Sequence, residues 1–171
     1  MQKDFSYPVK IADLNQQEQH FKLYADTNQL KELTEILQVE QVKSFNADIF
    51  LKLNIKQHRL DLWGTVKATL ELKSVVSLEN FEKDYMAPFE YYFDTKATYN
   101  DIRELEAGIY DDVPDIIENG QIDLGTIAIE QLALVMEDYP RKEGEEFNFV
   151  CEFTEEEPEE NPFAVLKKLK K

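Results

Sequence analysis

The side chains that could carry out nucleophilic or metal chemistry are few in this chain of 171 residues. The only thiol belongs to Cys151, and the only imidazoles belong to His20 and His58. A nucleophile needs a general base beside it, whereas Cys151 alternates with phenylalanines, as a small buried hydrophobic residue would. The two histidines have no HxxxH or CxxC spacing, which favours exposed or capping roles over metal ligation. The sequence therefore predicts no catalytic residue and no zinc site.

Motifs for hard cations and for nucleotide phosphates are also missing. Asp111, Asp112 and Asp115 lack the spacing, the glycine and the final glutamate of a calcium-binding loop, which favours a solvated acidic segment. The sequence contains neither GxGxxG nor GxxxxGK followed by serine or threonine. We expect no metal and no cofactor.

An aromatic run at residues 89–93 invites comparison with the sheet aromatics on which RNA bases stack. Glu90 and Asp94 would repel phosphates, and no basic, glycine-rich signature surrounds the run. We interpret these aromatic side chains as packing within a sheet and its core.

Two basic features stand out in an otherwise acidic chain. The first is Tyr139-Pro140-Arg141-Lys142, which follows a predicted helix. The second is the end of the chain, residues 161–171, with four lysines and no acidic residue. Here Asn161 suits a helix cap and Pro162 the first helical position, and Phe163, Leu166 and Leu169 fall near one face. The pattern predicts a short helical tail that docks either on its own domain or on a partner.

The periodicity of the apolar residues predicts the elements of the fold. A helix near residues 28–38 follows the capping cluster Asp26-Thr27-Asn28. Its apolar stripe is Leu30, Leu33, Ile36 and Leu37. Strict alternation over 49–55 and again over 60–72, around a turn at 56–59, predicts a long hairpin. Gly64 interrupts the second apolar row, which indicates either a bulge or a close crossing by another segment.

Further strands and a second helix follow along the chain. Alternation predicts a third strand through residues 89–93 and a fourth through 147–153. Asp123 is a suitable cap for a helix that ends before Pro140, and its apolar stripe is Leu124, Ile127, Ala128, Gln131, Leu132 and Val135. The predicted class is α+β, with a mainly antiparallel, strongly curved sheet built on the hairpin at 47–73 and packed with two or three helices.

The distribution of charge along the chain predicts its domain boundaries. The net charge is −16, and residues 143–160 contain nine glutamates and no basic residue. We expect one globular domain from 1–142 and 147–154, with an acidic linker at 99–121 within it. An acidic connector at 143–160 then leads to the basic tail.

The composition of the chain also indicates its compartment and its partners. A single cysteine gives no internal disulfide, and the sequence shows no export signal and no span of about 20 apolar residues. We expect a cytoplasmic monomer that binds no membrane. Whole-molecule repulsion of phosphates makes non-specific nucleic-acid binding improbable.

Three stretches of the sequence have a distinctive pattern: Gly64–Ala68 continuing through Ser74–Phe81, then Ile122–Leu134 with Asp138–Gly144, and finally Asn161–Leu166. Together they resemble the YceD family of large ribosomal RNA subunit accumulation proteins, in its alphaproteobacterial form. The acid-capped helix that ends in Tyr-Pro-Arg-Lys is the most specific of the three.

The chain departs from the family pattern within the first stretch. Ser74, Ser77 and Asn80 stand where the family has cysteine, threonine and proline. Many members carry paired cysteines in this region, so any thiol or metal role of those cysteines is lost here.

The resemblance implies a non-enzymatic role in the accumulation or processing of large-subunit (23S) ribosomal RNA and in ribosome biogenesis. An acidic factor in such a pathway is better suited to basic ribosomal proteins or a large-subunit precursor than to naked RNA. Candidate contacts are Tyr139, Pro140, Arg141, Lys142, Phe163, Leu166 and Leu169, with Arg141 and Lys142 adding a local phosphate contact. The alternatives are a chaperone or scaffold for an unassembled ribosomal protein and, less favoured, a hydrolase or ribonuclease.

Overall fold

The computed structural model describes residues 5–97 and 115–146. Within them, two helices and two sheets give an α+β fold, which confirms the predicted class. In chain order the elements are β1 (Pro8–Lys10), a 3-10 turn (Ile11–Asp13), β2 (Gln19–Tyr24), α1 (Thr27–Leu37), β3 (Gln41–Asn54), β4 (Arg59–Lys73), β5 (Asn80–Asp94), β6 (Asp115–Ile116), a 3-10 turn (Glu118–Gly120), β7 (Gln121–Asp123) and α2 (Leu124–Val135).

The predicted long hairpin forms the centre of the larger sheet. Its strand order is β2-β3-β4-β5-β6, and every described pairing in it is antiparallel except β5 with β6. The turn at 55–58 joins β3 to β4, with His58 at a φ of 51°. Strand β1 pairs separately with β7.

Alternation along the strands decides which face of the large sheet is buried. On the inner face, Ile49, Leu60, Leu62 and Val66 are fully buried. Their neighbours in sequence, such as Lys67, point to the opposite, solvent-facing side. One face of the sheet therefore carries the core against the helices, as the period of two predicts.

Gly64 is required by the close approach of strand β3. A Cβ atom at this position would lie 2.2 Å from the carbonyl oxygen of Asp48 and 3.1 Å from the Cα of Ile49. The described irregularity in the β3–β4 register lies elsewhere, between Val42 and Ser44. Of the two roles expected for this glycine, the structure shows the close approach.

Both predicted helices form, and each begins with an aspartate cap. Asp26 accepts hydrogen bonds from the amides of Asn28 and Gln29, while the side chain of Gln29 bonds back to the Asp26 amide in a capping box. Asp123 accepts from the amides of Gly125 (2.9 Å) and Thr126 (3.1 Å) at the start of α2. These caps fix where both helices enter the core.

Asp123 also ties the N-terminal segment to α2. Its carboxylate accepts hydrogen bonds from the Tyr7 amide (2.9 Å) and the Ser6 hydroxyl. Partial burial alone would raise the pKa of Asp123, but the hydrogen bonds from Ser6, Tyr7, Thr126 and Gly125 hold this pKa below its usual value. One carboxylate therefore caps α2 and also anchors the segment just before β1, more than a hundred residues away in sequence.

We expect Asp123→Ala to lower the free energy of unfolding by about 2 kcal/mol, because it removes a helix cap and a second set of hydrogen bonds. The depressed folded-state pKa means that this contribution is present above the unfolded pKa of about 3.9 and is lost as the pH falls through the folded value. Urea unfolding at pH 7 and at acid pH measures the loss of unfolding free energy and its dependence on pH. Asp26→Ala, which removes a cap alone, is the control, and equal losses in the two variants would contradict the double role.

Several predictions fall on residues outside those described. These are the fourth strand with Cys151, the connector beyond residue 146, and the tail with Phe163, Leu166 and Leu169. Of the expected acidic linker at 99–121, residues 115–121 are described, and they include β6 and the second 3-10 turn.

Candidate functional site

Two segments that are distant in sequence meet at one end of the sheet. The loop Ser74–Glu79, between β4 and β5, contacts the turn Tyr139–Glu145, which follows α2; we call this contact the motif junction. The Val75 amide donates to the Pro140 carbonyl at 3.0 Å, and the Lys142 ammonium pairs with Glu79. The two segments with the most distinctive sequences thus form a single structural unit.

Ser74 organises the loop side of the motif junction. Its side chain is fully buried, its hydroxyl donates to the Glu145 carboxylate, and it accepts from the amides of Val76 (3.1 Å) and Ser77 (3.3 Å). A hydroxyl offers one donor and two acceptor positions, so its hydrogen-bonding capacity is fully used. Hydrogen bonds from Ser74 and Ser77 lower the pKa of Glu145 and favour its charged form.

The four described candidates at this site have different surroundings. Tyr139 is 74% exposed, and Arg141 is also exposed. Pro140 is partly buried and supplies a backbone acceptor to the loop. Lys142 is held by Glu79, and its amide donates to Glu145 at 3.1 Å. Lys142 therefore has a structural partner, whereas Arg141 has no carboxylate within ion-pair distance among the residues that the structure describes.

An acidic groove lies beside the motif junction, between the ends of α1, α2 and β4. Its volume is about 460 Å³. Its apolar lining includes Ile36, Leu37, Val39, Leu72, Met136 and Pro140, and its charged lining consists of Glu40, Glu137, Asp138 and Lys73. Glu137 pairs with Lys83, whereas Glu40 and Asp138 have no ion pair among the described residues. Apolar surface beside two such carboxylates suits a ligand that is both apolar and cationic.

Exposed apolar side chains lie at the ends of the two helices that help to line this acidic groove. Ile36 at the end of α1 is 50% exposed, and Leu134 and Val135 at the end of α2 are 76% and 41% exposed. Helical periodicity placed Ile36 and Val135 on the core-facing stripes of their helices. The structure departs from that expectation because the last turn of each helix extends beyond the buried core.

Glu137 is fixed in place on the groove wall. Its carboxylate accepts from the Lys83 ammonium of β5 at 2.6 Å. This hydrogen bond raises the pKa of Lys83, against the smaller lowering effect of its burial. The neighbouring Asp138 is exposed at the mouth of the groove.

Most of the aromatic run at 89–93 serves the core, as expected, whereas Tyr92 is exposed and lies under the Arg59 guanidinium. Phe93 is buried, and Phe89 and Tyr91 pack against the core cluster. A different stack, formed by His20, Phe50 and Trp63, crosses the solvent-facing side, with centroid distances of 4.2 and 5.7 Å.

Mixed charge surrounds this second stack. Asp48 lies 3.0 Å from the His20 Nε2 atom and 3.9 Å from the Lys22 ammonium. The rings already stack on one another, and no excess of cations accompanies them among the described side chains. We therefore assign the candidate site to the motif junction and the acidic groove.

Residues 5–97 and 115–146 contain neither a cluster of metal-ligating side chains nor a helix that could span a membrane. No group of three or more histidine, cysteine, aspartate or glutamate side chains is arranged to hold a metal ion there. No helix in the same part of the chain has the length and apolarity needed to span a membrane.

Comparison with known proteins gives one family match. The model of the family described as "Large ribosomal RNA subunit accumulation protein YceD" matches residues 62–170, which include both sides of the motif junction. Neither a curated protein nor a solved structure matches the chain significantly.

Proposed function

Because the chain belongs to the YceD family of large ribosomal RNA subunit accumulation proteins, we propose that it promotes this accumulation by binding, without catalysing a reaction. Membership implies a role in the accumulation of large-subunit ribosomal RNA. The finer proposal is that the direct partner is a basic ribosomal protein, free or within a large-subunit precursor. The protein acts in the cytoplasm as a monomer.

The observation that carries this proposal is the acidic groove beside the motif junction. Ribosomal RNA is a polyanion, and the net charge of −16 on this protein repels the RNA phosphates over most of its surface. A cationic protein segment is attracted by the same charge, and the apolar lining supplies the contact area that salt does not weaken. Steering by charge accelerates encounter, while apolar burial slows dissociation.

A local contact with RNA phosphate is compatible with this arrangement at Arg141. Arginine matches phosphate geometry with two parallel hydrogen bonds, and both Arg141 and Tyr139, two residues before it, are exposed. Lys142, which pairs with Glu79, contributes mainly to the motif junction. The apolar candidates Phe163, Leu166 and Leu169, outside the described residues, remain proposed contacts.

We expect Arg141→Ala to reduce association with large-subunit precursors about three- to tenfold, since one charge-assisted contact contributes about 1 kcal/mol. Thermal stability should not change. The measurement is the fraction of the protein that sediments with precursors in a density gradient of cell lysate.

Lys142→Ala is the comparison variant, because it should lower the melting temperature as well, through loss of the Glu79 pair. Lys10→Ala, an exposed lysine of β1, is the neutral control. Unchanged association of Arg141→Ala would show that this residue does not contact the particle.

A second candidate function is supported by the exposed apolar side chains at the helix ends. Leu134, at 76% exposure, and Val135 would suit a chaperone that holds an unassembled ribosomal protein. Copurification of one small basic protein without ribosomal RNA would support this candidate over a factor bound to the particle.

A further inference from the structure

We propose that residues 161–171 of this chain occupy the acidic groove in the free protein and that the cationic partner must displace them. The competition with a partner rests on the proposed function, whereas occupancy of the groove does not. The tail would therefore regulate the site to which it binds.

The acidic groove and residues 161–171 are chemically complementary. The groove offers apolar side chains from α1, α2 and β4, and three of its four charged lining residues are acidic. Residues 161–171 contain Phe163, Leu166 and Leu169 at intervals of three, together with four lysines and no acidic residue. This stretch combines apolar residues at helical spacing with a purely positive charge.

The described chain ends at Glu146, six residues after Pro140. Residues 142–145 are fixed by the Glu145 contacts with Ser74 and with the Lys142 amide, and Pro140 itself lines the groove. Fourteen residues separate Glu146 from Asn161. At about 3.5 Å per residue they reach up to about 50 Å, so the length of the connector does not prevent docking.

Docking within one chain requires only a low affinity between the tail and the groove. A short linker gives an effective concentration of about 1 mM, so a dissociation constant of about 0.1 mM already favours the docked state about tenfold. Partial coverage of the groove residues Ile36 and Met136 and a few lysine–carboxylate contacts are sufficient for such an affinity.

A partner binds the groove only when it displaces the docked tail. Docking reduces the apparent affinity of every competitor by the fraction of molecules in which the groove is free. A ligand that matches only the charge, or only the apolar lining, competes poorly with a tail that matches both. When the tail leaves the groove, Phe163, Leu166 and Leu169 become available to the partner.

Limited digestion of the full-length protein with trypsin tests the proposal directly. Residues 143–166 contain no lysine or arginine, so cleavage after Lys167, Lys168 or Lys170 reports on the tail alone and is followed by intact mass. We expect Ile36→Asp to accelerate this cleavage about tenfold, because proteolysis follows the undocked population. Ile55→Asp is the matched control, since Ile55 is also half exposed, at 54%, but lies in the β3–β4 turn.

A second pair of variants tests the same contact from the side of the tail. Phe163→Asp should accelerate cleavage, and Val165→Asp, which lies off the row of three, should not. High salt should also accelerate cleavage of the unmodified chain, because it screens the lysines from the carboxylates. Circular dichroism checks that each variant remains folded.

Equal cleavage rates in Ile36→Asp, Ile55→Asp and the unmodified chain would overturn the proposal. Protection from trypsin that depends on Phe163 but not on Ile36 would also overturn the proposal, because the tail would then bind elsewhere. Neither result affects the proposed function, which depends on sedimentation with precursors. Conversely, tail protection without any particle association would leave the docking intact and refute the proposed function.

Discussion

Gly64→Ala is expected to lower the free energy of unfolding by about 4 kcal/mol or more, a large part of the stability of an ordinary domain. The added Cβ would lie 2.2 Å from the backbone oxygen of Asp48, and backbone cannot move aside as a flexible side chain can. Strands β3 and β4 would have to separate at the centre of the sheet, beside the fully buried Ile49. Thermal and urea unfolding, or loss of soluble protein, measures the effect.

Gly144→Ala is the control for this prediction. Gly144 has a φ of 82° with nothing within 4 Å of its missing Cβ, so the substitution strains the backbone without a collision. We expect a loss of about 1 kcal/mol there. Equal losses at the two glycines would contradict the close approach as the reason for Gly64.

The second large effect is expected from reversing the charge of the acidic groove. The double variant Glu137→Lys with Asp138→Lys should reduce association with large-subunit precursors by about tenfold or more at low salt, because it replaces attraction by repulsion at the binding surface. Glu137 also loses its pair with Lys83, so thermal unfolding must show that the variant stays folded.

Asp13→Lys with Glu18→Lys is the matched control for charge. Both residues are exposed near the N-terminal side of the chain, and the double change alters the net charge by the same amount. We expect the control to reduce association only slightly. Equal reductions in the two double variants would mean that net charge alone matters and that the groove is not the binding surface.

Local patterns in the sequence were sufficient for the central elements of the fold. The alternation through Leu60, Leu62 and Val66 predicts β4, since one face must be apolar. Asp26 and Asp123 predict the starts of both helices, because capping depends on neighbours along the chain. Strands β6 and β7 have only two and three residues, too few for a period to be recognised.

Most of the candidate site could not be predicted in this way, because its contacts join residues far apart in the chain. Ser74 and Glu145 are 71 positions apart, and Glu79 and Lys142 are 63 apart. The family resemblance indicated both segments but not their contact. Periodicity assigned Ile36 and Val135 to buried stripes, since it defines the face of a helix but not where the core beneath that face ends.

The sedimentation of the unmodified protein at two salt concentrations tests the central claim most directly. Cell lysate is run on a density gradient at low and at high salt, and the protein is followed against free large subunits, their precursors and unassembled material. We expect comigration with precursors at low salt that is lost at high salt, because screening weakens the attraction between the acidic protein and its cationic partner. Sedimentation among free proteins at both salt concentrations would contradict it.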